Sequence, residues 1–461
     1  MPRVPRDSGK PTPPMGQYLA CFKAYDVRGK VPSELNPDIA YAIGRAYADQ
    51  TSAHKVCIGY DIRLSGPELY DALAKGLNDA GVDVVHLGMV GTEMVYFATA
   101  FYGYDGGVMI TASHNPPEYN GMKMVRHESR PISSDTGLND IERRTFEQKW
   151  ERTGHGSREE KDCYRDFVGH LLRIVPPVDL KPLRVLADPG NGAAGVALDQ
   201  LLPHLPLKID QIRHDPNGKF PNGVPNPILE ESRAMTIDAM RRGGFDFGVA
   251  WDGDYDRCFL FDEHGNFVEG YYIVGLLAQA LLHDDPDQTI IYDPRLTWNT
   301  LDIVAGLGGR AVVCKSGHAF IKEKMRAEDA AYGGEMSAHH YFKAHWYCDS
   351  GMIPFLLVAR LIGKSGRSLG DLVGEMIRNY PCSGEVNSTV ADVKTVLERV
   401  ESRYRDGKID HLDGLSVEYP TWRFNLRGSN TEPVIRLNVE SRGNEALMKE
   451  KTEELLKLVR G

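Results

Sequence analysis

Residues 56 to 61 read Val-Cys-Ile-Gly-Tyr-Asp, and they are followed by a helical pattern from Ser65 to Ala80 and by a second apolar run from Val82 to Leu87. An apolar strand, a helix and a second apolar strand form the repeating unit of a parallel sheet that is covered on both faces. Ser65 suits the N-cap of the helix, and Gly81 suits its end. This stretch therefore predicts an α/β fold.

The order of strand, aspartate and helix occurs twice more along the chain. Residues 185 to 188 precede the helical pattern 193 to 202, and residues 290 to 293 precede the helical pattern 296 to 305. The distance between these units suits whole domains rather than a solenoid repeat. We therefore expect three similar α/β domains with mainly parallel mixed sheets.

The pattern changes after Pro381. Short strand-like runs replace the earlier units, with helical segments between and after them. The runs are 385 to 391, 414 to 420, 422 to 427 and 433 to 440. This alternation predicts a smaller C-terminal α+β domain.

The chain is expected to contain a disordered tail and four domains. Its first 16 residues carry five prolines and no apolar core, which is typical of a disordered tail and not of a signal peptide. The charged, glycine-rich segment Gly154 to Lys161 is typical of a linker. The expected boundaries are 1–16 for the tail, 17–160 for domain 1, 161–262 for domain 2, 263–380 for domain 3 and 381–461 for domain 4.

The composition of the 461 residues limits the classes of function. A hydrophobic fraction of 42% and a charged fraction of 26% are those of a soluble globular protein. The net charge of −10 favours neither nucleic acid nor a membrane as a partner, so an anionic substrate needs locally concentrated arginine and lysine. Seven cysteines without CxxC pairs predict reduced thiols in the cytoplasm, and no apolar run reaches the roughly 20 residues of a membrane span. The sequence does not indicate an oligomeric state.

A first candidate site is the segment Thr111-Ala-Ser-His-Asn-Pro116, which follows the apolar run Gly107 to Ile110. A serine at a strand-to-loop corner, with Lys123 ten residues further on, is typical of a phosphoryl acceptor with its proton carrier. A plain polar loop is the alternative, since Ser, Asn and Pro are common in loops. A Ser-His-Asp hydrolase is a further alternative, but no Gly-x-Ser-x-Gly sequence surrounds Ser113.

A second candidate site is the segment Ala250 to Arg257, which follows a strand-like run. Its three aspartates occupy alternate positions, at Asp252, Asp254 and Asp256. Alternation on a short turn can direct three oxygens toward one point, and oxygen ligands are those that Mg²⁺ prefers. Such a cation would neutralise charge on a transferring phosphoryl group.

Two other interpretations of the acidic segment remain open. An EF-hand loop also begins Asp-x-Asp-x-Asp, and Glu263 lies at the twelfth position of such a loop. However, Arg257 lies at the sixth position, where an EF-hand needs glycine. An acidic surface turn is the second alternative, although Gly253 and Arg257 suit an ion and phosphate site better.

Two further segments suit the recognition of a sugar phosphate. The segment Arg427 to Arg436 combines glycine, hydroxyls, an amide and two arginines, which is typical of an anion cradle and also of a hairpin turn. In the segment Gly333 to His340, Glu335 and Ser337 are two residues apart and can bind adjacent ring hydroxyls from one side of an extended chain.

Together these four segments resemble the α-D-phosphohexomutase family, most closely its bacterial phosphomannomutase branch. They resemble the family's phosphoserine, metal, sugar and phosphate loops in the family's order, and the resemblance covers nearly the whole chain. Shorter segments also resemble the family. These segments are Tyr25 to Gly29, Gly59 to Ser65, Asp188 to Gly192, and Gly317 and His318 with Lys322. Four ordered matches are far more specific than any one of them.

The resemblance implies a set of site residues. The implied catalytic residues are Ser113, Lys123, Arg257 and His318, and the implied metal ligands are Ser113, Asp252, Asp254 and Asp256. The implied substrate-binding residues are Tyr25, Arg28, Arg295, Glu335, Ser337, His339, Arg427, Ser429, Asn430, Thr431 and Arg436. Arg295 departs from the family, because related enzymes often carry lysine there.

The resemblance also implies a reaction. Phosphohexomutases interconvert hexose 6- and 1-phosphates through a phosphoserine enzyme and a hexose 1,6-bisphosphate, which also serves as activator, with one Mg²⁺ per chain. The sequence Gly-Glu-Met-Ser in the sugar loop resembles phosphomannomutases, which supply GDP-mannose synthesis, and bifunctional mannose/glucose mutases. A phosphatase or a catalytically silent binding protein is less expected. Closure of domain 4 would use a hinge around Tyr380 to Gly384.

Overall fold

The computed structural model describes residues 18–428 and 434–461, so the expected tail at residues 1–16 lies outside the described chain. The chain divides into two compact units, one ending at Cys163 and the other running from Tyr164 to Gly461. Among the described helices, none combines the length and the apolar character that crossing a bilayer requires.

The first unit is a mixed sheet with helices. Its strands are β1 (Val27–Lys30), β2 (Lys55–Tyr60), β3 (Asp83–Met89), β4 (Gly106–Ile110), β5 (Tyr119–Arg126), β6 (Arg130–Pro131) and β7 (Arg158–Glu160), and its helices are α1 (Pro37–Thr51), α2 (Gly66–Asp79), α3 (Thr92–Phe101) and α4 (Leu138–Glu147). The strand order is β1-β5-β4-β2-β3-β7, with β6 beside β5. Strands β4, β2, β3 and β7 are parallel, and β5 runs antiparallel to β4 and β1.

One local expectation for this unit was confirmed in position and one was wrong. Ser65 occupies the predicted N-cap position of α2, but its side chain makes no capping hydrogen bond and instead accepts one from Asn120 Nδ2 at 2.9 Å. The expected linker Gly154 to Lys161 contains β7, which adds to the edge of the sheet beside β3. A charged strand suits a sheet edge, so its composition resembles that of a linker.

Helices α1 and α2 pack with their backbones in close approach. A Cβ on Gly44 would lie 2.4 Å from Leu73 O, and a Cβ on Gly76 would lie 2.2 Å from Tyr41 O. These distances are far below van der Waals contact, so glycine is required at both positions. The two glycines thereby fix the separation of the helices that cover one face of the sheet.

The second unit begins with two further α/β domains. The first comprises α5 (Tyr164–Ile174), β8 (Arg184–Asp188), α6 (Ala194–Leu201), β9 (Lys208–Gln211), α7 (Ala234–Gly243), β10 (Phe247–Trp251), β11 (Cys258–Phe261) and β12 (Phe267–Val268). The next comprises α8 (Gly270–Asp284), β13 (Thr289–Tyr292), α9 (Trp298–Gly306), β14 (Arg310–Val313), α10 (His318–Glu328), β15 (Tyr332–Gly334), β16 (His340–Phe342), β17 (Cys348–Asp349), α11 (Met352–Ser365) and α12 (Leu369–Asn379).

The sheets of these two domains share one plan. Their strand orders are β12-β11-β10-β8-β9 and β14-β13-β15-β16-β17. In each sheet three neighbouring strands are parallel, and two antiparallel strands extend one edge. The antiparallel pair follows directly from the segment that carries the acidic or the sugar motif, so both motifs lie where the strand direction reverses.

The chain closes with the C-terminal domain. Its elements are β18 (Val386–Thr389), α13 (Val393–Arg403), β19 (Lys408–Asp410), β20 (Leu415–Glu418), β21 (Trp422–Gly428), β22 (Val434–Ser441) and α14 (Glu445–Arg460). The order β18-β22-β21-β20-β19 is antiparallel throughout. The predicted fold class, three α/β domains with mixed sheets and a smaller α+β domain, is thus confirmed.

The sheet of the C-terminal domain has one apolar and one polar buried face. Phe424 and Leu426 belong to the domain core, while the alternating Arg423 is buried on the other face. Arg423 donates to Arg295 O at 3.0 Å and forms an ion pair of 2.8 Å with Glu440. Glu440 also accepts from the Thr297 N–H at 2.7 Å. These bonds attach the C-terminal sheet to the loop before α9.

We expect Gly76→Ala to lower the free energy of unfolding by about 1–3 kcal/mol, because the added methyl group forces α1 and α2 apart. Gly169→Ala is the matched control, since a Cβ there meets only Arg173 Nη1 at 3.7 Å inside α5. That change should raise stability by about 0.4–1 kcal/mol. Urea unfolding followed by circular dichroism measures both. Equal stability of the two variants would contradict the close approach of the helices.

Candidate active site

Ser113 lies at the end of β4 in a strained and buried position. Its φ is +49°, in the left-handed region, and its side chain is buried. The Ser113 N–H donates to Thr111 Oγ1 at 2.8 Å, and Thr111 Oγ1 donates to Asp61 Oδ2 at 2.7 Å. Ser113 Oγ lies 3.0 Å from His114 Nδ1. A positive φ at a non-glycine residue is costly and is often found at functional sites.

Arg63 holds the loop that carries Ser113, a role that the sequence analysis did not assign. Its guanidinium group donates to the carbonyl oxygens of Ser113 at 3.0 Å, Asn115 at 2.6 Å, Pro116 at 2.7 Å and Tyr119 at 2.8 Å. Arg63 is itself buried. The quoted motif Gly59 to Ser65 contained this residue, but only the fold shows which loop it contacts.

Other predicted residues of the first unit lie around the same loop. Arg28 donates to Asn115 Oδ1 at 2.7 Å and to Asp26 Oδ2 at 2.6 Å. Lys123 is buried on β5, and its Nζ lies 3.4 Å from Thr92 Oγ1. Tyr25 is partly buried just before β1. The structure thus connects Arg28 to the Ser113 loop through a single side chain.

The acidic segment of the second unit forms a buried turn between β10 and β11. Carboxylate oxygens of Asp252, Asp254 and Asp256 lie within 4.8 Å of one another, and all three residues are buried. Asp252 Oδ2 accepts from Arg257 Nε at 2.9 Å and Nη2 at 2.7 Å. Tyr255, with a φ of +43°, lets the turn bring the alternate side chains together.

These three carboxylates fit a hard divalent cation. Like charges buried this closely repel one another, and burial makes that repulsion costly. A cation with oxygen ligands would remove the repulsion, which is the chemistry of a Mg²⁺ site. The turn between two strands also excludes the EF-hand interpretation, which needs two flanking helices.

The segment Gly333 to His340, called the sugar segment below, lies beside the acidic turn. A backbone bridge joins Arg257 to His339, and the Cys258 N–H donates to Ala338 O at 3.1 Å. His339 Nε2 lies 3.6 Å from Asp256 Oδ1. Ser337 Oγ lies 3.2 Å from His339 Nδ1. Two motifs that are distant in sequence are therefore adjacent within this unit.

Glu335 is buried and fixed at both oxygens. It accepts from the Gly317 N–H at 3.0 Å and from the Tyr341 O–H at 2.6 Å. Burial raises the pKa of the Glu335 carboxyl, although the nearby Arg295 acts in the opposite direction. The bond to Gly317 also places Glu335 at the start of α10, whose first residue is His318.

Arg295 connects the sugar segment to the segment Arg427 to Arg436, which is called the phosphate segment below. Asp293 accepts from Arg295 Nε at 3.0 Å and from Nη2 at 2.8 Å. Burial raises the pKa of Asp293, but the Arg295 guanidinium outweighs burial, so the pKa lies below its usual value. Arg295 Nη2 also lies 3.6 Å from Glu335 Oε1 and 3.5 Å from Ser337 Oγ. The arginine thus retains a positive charge beside both sugar-binding candidates.

The two arginines of the phosphate segment meet Arg295 around one carboxylate. Glu385 Oε2 lies 3.4 Å from Arg295 Nη1 and 3.7 Å from Arg427 Nη2, and Glu385 Oε1 lies 3.5 Å from Arg436 Nη1. Asp413 Oδ2 lies 3.5 Å from Arg427 Nη1. The other predicted phosphate contacts, Ser429, Asn430 and Thr431, lie outside the described residues.

Lys322 has a structural partner. Its Nζ forms an ion pair of 2.6 Å with Asp349 Oδ1, and both side chains are buried. This pair fixes α10 to β17. No role for Lys322 was predicted from the sequence. Asp293 and Glu385 lie in segments that were predicted as a strand end and a strand, but their contacts with arginine depend on residues distant in the chain.

Comparison with known families agrees with this architecture. The family model described as "Phosphoglucomutase/phosphomannomutase, alpha/beta/alpha domain I" matches residues 20–152. The models of domains II and III of the same family match residues 163–265 and 269–380. The C-terminal domain of the same family matches residues 385–457. All four parts of the family therefore occur in this chain in order.

Similar proteins align over nearly the whole chain. "Phosphohexose mutases" of Xanthomonas campestris pv. campestris (strain B100) is 53% identical over 450 residues, which are 96% of this chain and 100% of that protein. "Phosphomannomutase" of Escherichia coli (strain K12) is 51% identical over 451 residues, which are 96% of this chain and 99% of that protein. A crystal structure of a phosphoglucomutase/phosphomannomutase family protein from Burkholderia thailandensis is 32% identical, has a TM-score of 0.85, and covers 95% of this chain and 97% of its own.

The fold and the site together define an enzyme of the phosphohexomutase class, an isomerase that acts by intramolecular phosphoryl transfer. The chain belongs to the phosphoglucomutase/phosphomannomutase family.

We expect Arg63→Met to lower kcat by about a hundredfold, because the Ser113 loop loses the donor that holds four of its carbonyl groups. Arg158→Met is the control, since Arg158 is an exposed arginine of the same unit. Steady-state assays of both variants, with circular dichroism as a check of folding, make the comparison. A folded Arg63→Met protein with wild-type kcat would show that Arg63 does not organise the loop.

Mg²⁺ at a hundred times its dissociation constant should stabilise the wild type by about 2.7 kcal/mol relative to the protein in EDTA. A higher thermal midpoint in Mg²⁺ than in EDTA would report this gain. Asp254→Asn should lose most of this gain, because it removes one ligand charge. The control is Asp238→Asn, an exposed carboxylate on α7 in the same domain. If Mg²⁺ stabilised Asp254→Asn as much as the wild type, the cation would bind elsewhere.

Proposed function

We propose that this phosphohexomutase is a phosphomannomutase that interconverts mannose 6-phosphate and mannose 1-phosphate. The observation that carries the proposal is the network around Arg295, which joins Glu335 and Ser337 on one side to Arg427 and Arg436 on the other. Candidate contacts for a sugar ring and for a phosphate group are thus adjacent. A phosphatase does not need this second anion site, so the arrangement favours a mutase.

Ser113 is proposed to carry the phosphoryl group between the two ends of the sugar. In the first transfer the bond from phosphorus to Ser113 Oγ breaks, and a bond forms from phosphorus to the free hydroxyl oxygen at C1 or C6 of the hexose phosphate. The product is a hexose 1,6-bisphosphate. After the bisphosphate turns around, the other phosphoryl group returns to Ser113 and regenerates the phosphoserine.

Lys123 is proposed to accept the proton of the attacking sugar hydroxyl and to give it to the Ser113 oxygen that leaves phosphorus, and to carry a proton in the opposite direction in the second transfer. It must be neutral to accept that proton, and its side chain is buried on β5. A correctly placed general acid-base group contributes about 10²–10⁴ in rate. Arg257 and His318 are proposed to stabilise the negative charge of the transferring group, and Tyr25 and Arg28 to bind the substrate.

Mg²⁺, one per chain, is proposed to be held by Asp252, Asp254, Asp256 and the Ser113 side chain, and it would neutralise charge on the phosphoryl oxygens. Arg427, Ser429, Asn430, Thr431 and Arg436 are proposed to hold the phosphate that is not being transferred. Because the hexose binds in two orientations, Glu335, Ser337 and His339 are proposed to contact ring hydroxyls near its middle. These contacts can be reused after the sugar turns around.

The preference for mannose is supported by the names of two similar proteins at 51–53% identity, one of which is "Phosphomannomutase" and the other "Phosphohexose mutases". The second name supports the alternative, a bifunctional mannose/glucose mutase. Mannose and glucose differ only at C2, and a hydroxyl that the site does not bind gives little discrimination. Supply of mannose 1-phosphate for GDP-mannose synthesis and activation by hexose 1,6-bisphosphate are part of the same proposal.

We also propose that the enzyme works in the cytoplasm. All seven cysteines are free thiols, and six of them are buried. Burial raises the pKa of several of them, for example of Cys57 and Cys163 to about 12, so these thiols stay protonated and unreactive. Unpaired cysteines in this number suit a reducing compartment.

Mannose 1-phosphate and glucose 1-phosphate should be assayed in parallel with Mg²⁺ and a trace of hexose 1,6-bisphosphate. We expect formation of mannose 6-phosphate with the higher kcat/KM. Equal values for the two sugars would make the enzyme bifunctional. Release of inorganic phosphate without isomerisation would indicate a phosphatase, and conversion of neither sugar would favour a silent binding protein.

Ser113→Ala should lower turnover by more than about 10³-fold, because it removes the covalent carrier. Lys123→Met should lower it by about 10²–10⁴ while leaving phosphate on Ser113 detectable by mass spectrometry. Ser129→Ala is the control, since Ser129 is a buried serine of the same unit that donates to Tyr96 O. Unchanged turnover in Lys123→Met would exclude the proposed proton transfer.

A further inference from the structure

Glu385 occupies an unusual position for a carboxylate in a phosphate site. Among the described residues, it lies 3.4–3.7 Å from the guanidinium groups of Arg295, Arg427 and Arg436. A carboxylate in that position occupies the place at which an anionic ligand would meet all three arginines. Its side chain is only 10% exposed, so the surrounding water screens these charges weakly.

Carboxylates already outnumber the arginines of this cluster before any ligand binds. In the described part of the second unit the three arginines face four carboxylates, which are those of Asp293, Glu335, Glu385 and Asp413. A phosphate group carries up to two more negative charges at neutral pH. Its entry would add to this excess of negative charge, which favours the displacement of one of the four carboxylates when phosphate binds.

Three of these carboxylates are held by short hydrogen bonds. Asp293 accepts from Arg295 at 2.8 Å, Glu335 from the Tyr341 O–H at 2.6 Å, and Asp413 from the Ser316 N–H at 3.1 Å. Among the described residues, no hydrogen bond or ion pair of the Glu385 carboxylate is shorter than 3.4 Å. That distance is longer than the usual range for an N–H···O bond, so Glu385 is held less tightly than the other three carboxylates.

The backbone before Glu385 suits such a movement. Gly384 has a φ of +65°, and the preceding Ser383 is bonded to β22 through Val439 in both directions, at 2.9 Å each. The segment is therefore anchored before Gly384, and it is anchored again where Val386 begins β18. Glu385 lies between these two anchored points, directly after the glycine.

We propose that Glu385 is an internal counter-anion of the phosphate site, which neutralises Arg295, Arg427 and Arg436 in the ligand-free enzyme and is displaced by the phosphate group of the substrate. This inference rests on the proposed function, because it takes the three arginines as the phosphate-binding end of the site. The carboxylate keeps three buried positive charges from repelling one another. It also weakens phosphate binding, which favours release of the bisphosphate for its turn between the two transfers.

The direct test is the affinity for inorganic phosphate, measured by isothermal titration calorimetry on the full chain without added divalent cation. Glu385→Gln keeps the size of the side chain and removes its charge, so phosphate should bind roughly tenfold more tightly than to the wild type. Asp329→Asn is the matched control, because it changes the net charge by the same amount at an exposed position with a φ of +49° that asparagine also adopts. Phosphate affinity should not change in that control.

A second pair of variants locates the effect. The variant Arg436→Ala removes one of the three arginines. In that background Glu385→Gln should raise phosphate affinity by less than about half the fold-change that it causes in the otherwise wild-type protein. Weaker or unchanged phosphate binding in Glu385→Gln would overturn the proposal and make Glu385 an organiser of the arginines. An equal gain in the Arg436→Ala background would also overturn it. These titrations measure phosphate binding and need no turnover. Failure of this proposal can therefore be distinguished from failure of the proposed mutase activity.

Discussion

A buried carboxylate at the carboxyl end of a central strand organises each of the three α/β domains. Asp61, Asp188 and Asp293 follow or end β2, β8 and β13, and each is buried. Each accepts a hydrogen bond from the backbone N–H two residues further on, at 2.9, 3.0 and 2.9 Å respectively. The same turn therefore leaves the sheet in all three α/β domains.

A buried carboxylate requires a positive partner, and in each domain the partner is an arginine. Arg63 pairs with Asp61, Arg213 with Asp188 and Arg295 with Asp293. In the first domain the arginine goes on to hold the backbone of the Ser113 loop, and in the third it reaches Glu335 and, through Glu385, Arg427 and Arg436. Arg63 and Arg295, which neutralise buried aspartates of the fold, are thus also the groups that position residues of the candidate site.

The C-terminal domain depends on the same principle. Its polar sheet face would be costly to bury alone, but Arg423 and Glu440 pair with each other and with backbone groups before α9. Since Arg295 lies in that same loop, the attachment of the domain and the position of the arginine are coupled. Glu385, directly before β18, lies between Arg295 and the two arginines Arg427 and Arg436. Substrate phosphate would therefore act on a cluster in which domain contacts and ligand contacts share the same side chains.

The sequence alone was enough to predict the repeated strand, aspartate and helix units, the change of pattern after Pro381 and the segments that carry Ser113 and the three aspartates. These features are local, because burial of a strand and the geometry of a turn select residue types at neighbouring positions. It did not determine the edge strand β7, which was taken for a linker because exposed strand edges have the charged composition of loops. Only the tertiary structure decided that Arg63 holds the Ser113 loop, that His339 lies beside Asp256 and that Glu385 lies among three arginines. These contacts join residues far apart in the chain, and the pairing of buried charges leaves no periodic pattern in the sequence.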